Sequence, residues 1–135
     1  MPAWVTQSYE DYTRRLRSHL RIDLEELAVG KNKADEEKRL LDRVGDDYLV
    51  ALDEHGKSLT TLDLAKWLGQ RQQAGRNLSF VIGGPDGLGA EILKKASLRW
   101  SLSALTFPHA MVRVILAEQL YRAHSVLQNH PYHRE

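Results

Sequence analysis

A chain of 135 residues, 42% hydrophobic and 27% charged, has the size and makeup of one ordinary globular domain spanning residues 1–135. It holds no cysteine, which excludes disulfides and thiolate metal sites and suits a reducing, cytoplasmic setting. The formal net charge of +1 argues against bulk attraction to nucleic acid, no apolar run reaches the roughly 20 residues that cross a bilayer, and Met1-Pro2-Ala3-Trp4 lacks the basic and apolar regions of a signal peptide.

Pro2 suits a first helical turn, and Trp4, Val5, Tyr9, Tyr12, Leu16 and Leu20 recur at three- and four-residue spacing, so an amphipathic helix is expected to open the chain. From Arg21 to Ala28, Ile22, Leu24 and Leu27 alternate with acids, the pattern of a short strand ending before Gly30. A charged helix from about Lys33 to Val44 turns Leu40, Leu41 and Val44 inward, and Gly45 stops it. Tyr48 to Leu52 reads as a second strand, broken by Asp53-Glu54-His55-Gly56. Thr60 or Thr61 can cap a helix to about Ala74, with Leu62, Leu64, Ala65 and Leu68 on one side and Gly75 after it. Leu78 to Ile82 is a third strand, a short helix is expected around Ala90 to Ala96, and Arg99 to Phe107 contains an extended piece. Pro108-His109 starts the last helix, which is apolar over a broad arc through Met111, Val112, Val114, Ile115, Leu116, Leu120 and Leu127. Such a helix is expected to be buried on two sides, by its own domain and by a second subunit. The tail from Gln128 carries Pro131 and shows no helical pattern. Helices alternating with short apolar strands imply an α/β fold with a parallel sheet covered on both faces, without repeats or linkers.

Three loops follow predicted strands: Leu52 to Gly56, Gly83 to Gly89, and Ser101 to His109. In a parallel sheet such loops share the end where ligands bind. The second is the richest, because Gly83, Gly84, Gly87 and Gly89 with Pro85 and Asp86 exceed what a plain strand-to-helix turn needs. Gly87-Leu88-Gly89 lacks the lysine and hydroxyl of a P-loop, and the glycines are out of register with Gly-x-Gly-x-x-Gly. The spacing therefore indicates a small molecule held by backbone, with apolar sides from Leu52, Leu102 and Leu105 suited to a flat aromatic part such as an adenine.

From Arg99 onward the only acids are Glu118 and Glu135, whereas the stretch holds Arg99, Arg113, Arg122 and Arg134 and four of the six histidines. An acid-poor end with Arg, His, Tyr and Trp can meet phosphates and stack on bases, and a solvated helix face is the other reading. His109 at a helix N-terminus is either a cap or a group facing an anionic substrate. His130 and His133 have the spacing of half a metal site, but with no cysteine and no nearby carboxylate pair no metal is expected. His19 and His55 read as surface residues. No serine sits in a nucleophile elbow, and no paired carboxylates stand out for hydrolysis.

Four motifs in order complete the reading: Val81-Ile82-Gly83-Gly84-Pro85-Asp86-Gly87-Leu88, then Trp100-Ser101-Leu102-Ser103-Ala104-Leu105-Thr106-Phe107-Pro108-His109, then Val112-Arg113-Val114 with Glu118-Gln119-Leu120-Tyr121-Arg122-Ala123, and finally Asn129-His130-Pro131-Tyr132-His133-Arg134-Glu135. Together they resemble the RlmH family of SPOUT-superfamily methyltransferases, over nearly the whole chain and most densely from Leu78 onward. The resemblance implies a homodimeric α/β protein with a C-terminal trefoil knot that uses S-adenosylmethionine to methylate N3 of a pseudouridine in helix 69 of 23S ribosomal RNA, in the assembled ribosome. By matching position it implies that Leu52, Gly83, Gly84, Gly87, Leu102, Ser103, Leu105 and Thr106 line the cofactor site, and that His109, Arg122, Tyr132, His133 and Arg134 meet the nucleotide and its RNA. N3 of pseudouridine is a weak acid. A base (His133 or His109), cations stabilising the developing anion (Arg122, Arg134), or water alone would serve its deprotonation. The sequence departs from the family in two places. It starts at the Met-Pro-x-Trp helix, so the sheet is expected to lack the family's first strand, and the region between Gly45 and Gly56 is shorter than usual. A competing reading is a ribosome-binding relative that has lost catalysis with that strand. A generic adenine-nucleotide domain is disfavoured by the missing P-loop lysine and by the tail.

Overall fold

The computed structural model describes residues 2–27, 30–83 and 87–134. In chain order the elements are α1 (Ala3–Leu16), α2 (Lys33–Val44), β1 (Tyr48–Ser58), α3 (Thr61–Ala74), β2 (Leu78–Ile82), α4 (Ala90–Lys95), β3 (Leu98–Ser101) and α5 (His109–Leu127). They sort into two units: a sheet unit, Leu24–Ser58 with Arg76–Thr106, and a helical unit containing α1, α3, α5 and the tail.

The sheet unit is a three-stranded parallel sheet in the order β2-β1-β3. Strand β1 lies in the middle, and its consecutive Leu49, Val50 and Ala51 are all buried, as a strand covered on both faces requires. Period-two alternation splits them: Leu49 and Ala51 join Val44 of α2, Val81 of β2 and Ile92 of α4 in one core cluster, with Leu40, Leu41, Leu88 and Leu93 packed against it. On the other face Phe80 meets Trp100 edge-on at 6.4 Å between ring centres. Asn32 caps α2 by accepting from the Asp35 N–H at 2.8 Å, and Gly45 closes that helix with φ at +55°. Helix α4 has no cap of its own; Glu37 of α2 accepts from the Ile92 N–H at 3.4 Å.

The structure departs from the strand pattern of the sequence at two places. The segment 21–27 forms no strand, and Ala28, the end of the expected strand, lies outside the described residues. Its alternation would give an edge with one apolar face, but pairing needs a neighbouring strand; Leu24 and Leu27 instead remain exposed, and Glu25 is held by Arg43 at 2.7 Å. Strand β1 also does not stop at Leu52. Leu52 and Lys57 both pair with Trp100, so residues 53–56 leave the ladder as an excursion inside a continuous strand. The turn signal was real: Asp53 accepts from the His55 N–H at 3.1 Å, and a Cβ on Gly56 would lie 2.7 Å from the Arg99 carbonyl.

In the helical unit α1 and α3 both pack on α5. Val5 and Leu16 of α1, Leu64, Ala65 and Leu68 of α3, and Leu116, Ala117, Leu120 and Ala123 of α5 form its buried interior. Trp4, expected on the apolar stripe of α1, is exposed. Thr60 and Asp63 form a reciprocal capping box at the start of α3, with Asp63 N–H to Thr60 Oγ1 at 3.0 Å and Thr60 N–H to Asp63 Oδ2 at 3.3 Å. Gly75 ends that helix at φ +74°. Beyond α5, Asn129 adopts φ +57° and the chain turns back, His130 N–H donating to Ser125 O at 2.8 Å.

His124 is only 6% exposed, and neither ring nitrogen has a hydrogen-bond partner. Its ring lies 4.6 Å from that of His19, which is exposed. Burial, and then the His19 charge, push the His124 pKa below 6.5. The unfolded chain therefore binds a proton that the folded chain resists, and stability falls as pH drops below about 6.5. Thermal midpoints measured across that range should fall on acidification in the wild-type protein and fall less steeply in His124→Phe. Urea denaturation of Thr60→Ala should show a loss of about 1 kcal/mol, the usual worth of an N-cap side chain.

Candidate functional site

The register of the sheet unit brings three loops to one end. Leu52 pairs with Ile82 on one side and Trp100 on the other, so the three strands reach the same level before 53–56, Gly83 and the 102–106 loop leave them. Gly83 backs directly onto Gly87: a Cβ on Gly83 would lie 2.7 Å from the Gly87 carbonyl carbon and 2.9 Å from its oxygen. Gly87 itself has φ +76°, a conformation that L side chains rarely adopt. Two peptide planes thus meet where no side chain fits. Gly84, with Pro85 and Asp86, lies outside the described residues.

The 102–106 loop is held by its own hydroxyls. Ser101 Oγ donates to Ser103 O at 2.9 Å, Leu105 N–H donates to Ser103 Oγ at 3.0 Å, and Thr106 Oγ1 donates to Glu54 Oε2 at 3.1 Å. Leu52 and Leu102 are half-buried and Leu105 is 70% exposed, so an apolar wall stands beside exposed main chain. That combination suits a ligand with an apolar or aromatic part and a polar part. Leu52, Gly83, Gly87, Leu102, Ser103, Leu105 and Thr106 therefore share the carboxyl end of one sheet.

In the helical unit the tail folds onto α5 around a single carboxylate. Glu118 Oε1 accepts from Arg122 Nε at 2.7 Å, from Arg122 Nη2 at 2.6 Å and from the Tyr132 hydroxyl at 3.2 Å. Gln119 Nε2 donates to Glu118 Oε2 at 2.9 Å, and Gln119 Oε1 accepts from the Thr61 hydroxyl of α3 at 2.9 Å. The Arg122 guanidinium lies over the Tyr132 ring at 4.9 Å, and its Nη1 reaches His133 Nδ1 at 3.3 Å. Tyr132 meets Tyr121 edge-on at 4.6 Å, Tyr121 lies 6.1 Å from Tyr12 of α1, and Arg15 covers both Tyr12 and Tyr121. Burial, a hydrogen bond with Tyr12 and the Glu118 charge raise the Tyr132 pKa well above the usual phenol value, against the opposing pull of Arg122. The hydrogen bond to Glu118 raises that of Arg122.

Arg122, Tyr132 and His133 are thus brought together. His109 is not with them: it is the first residue of α5, about 20 Å along the helix axis from Arg122, and is exposed with its Nε2 3.3 Å from Arg113 Nη2. Arg134 is exposed at the end of the described tail. Among the described residues no three metal-ligating side chains converge. Sequence reasoning passed over Glu118, Tyr12 and Tyr121 as site builders. The signal for Glu118 was present, a lone acid in a basic stretch placed four residues before Arg122. Replacing it by Gln removes one of the causes that raise the Tyr132 pKa. A phenolate absorbance titration, assigned with Tyr132→Phe, should therefore find the Tyr132 transition at lower pH in Glu118→Gln than in the wild-type protein.

Comparison with known proteins gives the family of the chain. The family model described as "Predicted SPOUT methyltransferase" matches residues 1–133. A ribosomal RNA large subunit methyltransferase H of Methylobacillus flagellatus is 49% identical over 144 aligned residues, covering 100% of this chain and 93% of that protein. Proteins of the same name from Alkalilimnicola ehrlichii and Methylococcus capsulatus are 47% and 46% identical, each over 99% of this chain and over 92% and 93% of their own lengths. The chain belongs to the SPOUT methyltransferase family, and within it to the RlmH proteins.

Proposed function

We propose that this protein is an S-adenosylmethionine-dependent methyltransferase that methylates N3 of a pseudouridine in helix 69 of 23S ribosomal RNA in the assembled ribosome. The observation that carries the reading is the close approach of Gly83 to Gly87 at the carboxyl end of the sheet, in a chain that matches the family over residues 1–133. The proposal includes the family's knot, its homodimer and a cytoplasmic setting. Among the described residues no helix is long and apolar enough to cross a membrane.

The residues of the sheet unit fit the cofactor. Main-chain groups at Gly83, Gly84 and Gly87 would hold its polar portion, and Leu52, Leu102 and Leu105 its adenine, with Ser103 and Thr106 fixing the loop. When bound, S-adenosylmethionine supplies an electrophilic methyl group on a positively charged sulfur. The residues of the tail act on the nucleotide. Tyr132, edge-on to Tyr121 and with the Arg122 guanidinium over its ring, would border the target base, while His109, Arg134 and the exposed arginines contact RNA phosphates. Holding the acceptor nitrogen in line accounts for much of the rate in a bimolecular transfer of this kind.

The test is transfer of labelled methyl from S-adenosylmethionine to large-subunit RNA in ribosomes. Wild-type protein should transfer saturably. A chain ending before Tyr132 should lose transfer while keeping cofactor affinity in a calorimeter, and Gly83→Val should lose cofactor affinity at least tenfold. Full transfer by the shortened chain contradicts the role given to the tail.

A further inference from the structure

An arginine side chain has only donors to offer. The 3.3 Å contact between Arg122 Nη1 and His133 Nδ1 therefore has one chemical reading: Nδ1 holds a lone pair. A neutral imidazole with Nδ1 unprotonated carries its proton on Nε2. Arg122 cannot easily turn away from this contact, because Nε and Nη2 are bound to Glu118 and the guanidinium rests over the Tyr132 ring. The Glu118 carboxylate balances its charge, and only about a quarter of the Arg122 side chain is exposed (27%, against 17% for Glu118). The lone pair of His133 is thus already in use inside the protein. His109 Nε2 also faces an arginine nitrogen, Arg113 Nη2, at 3.3 Å, in an exposed pair.

We propose that the Glu118–Arg122 pair fixes His133 as its Nε2–H tautomer, so that His133 serves the target pyrimidine as a hydrogen-bond donor to a ring carbonyl and not as the base that removes the N3 proton. This rests on the methyltransferase reading given above. In the transfer the nitrogen's electron pair forms the N–C bond, the C–S bond breaks with its pair staying on the now neutral sulfur, and the N3 proton passes to solvent water. As that proton leaves, negative charge spreads onto the two carbonyl oxygens flanking N3. A donor held in place at one of them stabilises this charge without any protein group changing its own protonation. A base would need a free lone pair on the ring, and Arg122 has taken it. Arg122 and Glu118 are then positioning residues that act through His133.

Two experiments decide this. The first is nitrogen NMR of the histidine-labelled protein near neutral pH, with His133 assigned through His133→Gln. The expected spectrum has an unprotonated Nδ1 and a protonated Nε2; a protonated Nδ1 overturns the proposal. Arg122→Met, checked by circular dichroism, should show the averaged shifts of a ring that samples both tautomers, and an unchanged tautomer there removes the positioning role. The second is methyl transfer to ribosomes. His133→Gln retains an N–H donor but offers no base, and should lower kcat about tenfold, whereas His133→Ala should lower it about a hundredfold or more, as for loss of one charge-stabilising donor. A Gln variant as slow as the Ala variant contradicts the donor role. If the wild-type protein transfers no methyl at all, the methyltransferase reading fails and the carbonyl-donor role with it, while the NMR spectrum still decides the tautomer.

Discussion

One carboxylate oxygen, Glu118 Oε1, takes three donors at once: two N–H groups of Arg122 and the hydroxyl of Tyr132. Chain ends are disordered unless something ties them down, and this tail has little apolar surface to bury. It is tied by charge and by aromatic edges instead. Glu118 fixes Arg122; Arg122 covers Tyr132 and reaches His133; Tyr132 leans on Tyr121, which Arg15 covers from α1. Removing the carboxylate would strand a part-buried guanidinium, which costs far more than losing a surface ion pair. The other carboxylate oxygen extends the same network through Gln119 to Thr61 on α3. The candidate site residues of the tail are therefore held by the helices that form the core of their unit.

The sheet unit follows a different logic, in which backbone rather than charge sets the geometry. A central strand with three consecutive buried residues fixes the register on both sides, and that register aligns the strand ends. Loops leaving at one level share a surface. The contact of Gly83 with Gly87 then keeps side chains out of part of it, and the hydroxyls of Ser101, Ser103 and Thr106 shape the rest. A surface of main chain bordered by leucines offers shape and directed hydrogen bonds rather than reactive side chains.

Local signals in the sequence located most elements. The spacing of Leu40, Leu41 and Val44 with Gly45 gave α2 its observed bounds, and the Thr60 signal proved to be a full capping box. What failed depended on partners. Residues 21–27 alternate like a strand, yet pairing is a property of two segments, and composition cannot supply the second. Asp53 to Gly56 has the makeup of a strand break, but the close approach of Gly56 to Arg99 let the strand resume beyond it. In the candidate site, the glycine loop and the tail stood out in the sequence because their residue types exceed what packing needs. The role of Glu118 stood out less, because a carboxylate is identified as an organiser only when three donors are seen to converge on it. The burial of His124, with both ring nitrogens unpartnered, had no sequence signature at all.

The measurement that tests the central claim most directly is the position of the methyl group. Large-subunit RNA from ribosomes lacking the modification, incubated with the protein and S-adenosylmethionine, would be digested and sequenced by mass spectrometry. The expected result is one added methyl on the ring nitrogen N3 of a single pseudouridine in helix 69, and none on RNA treated with the chain lacking its tail. A methyl group on a ribose or on any other base, or none despite bound cofactor, would contradict it.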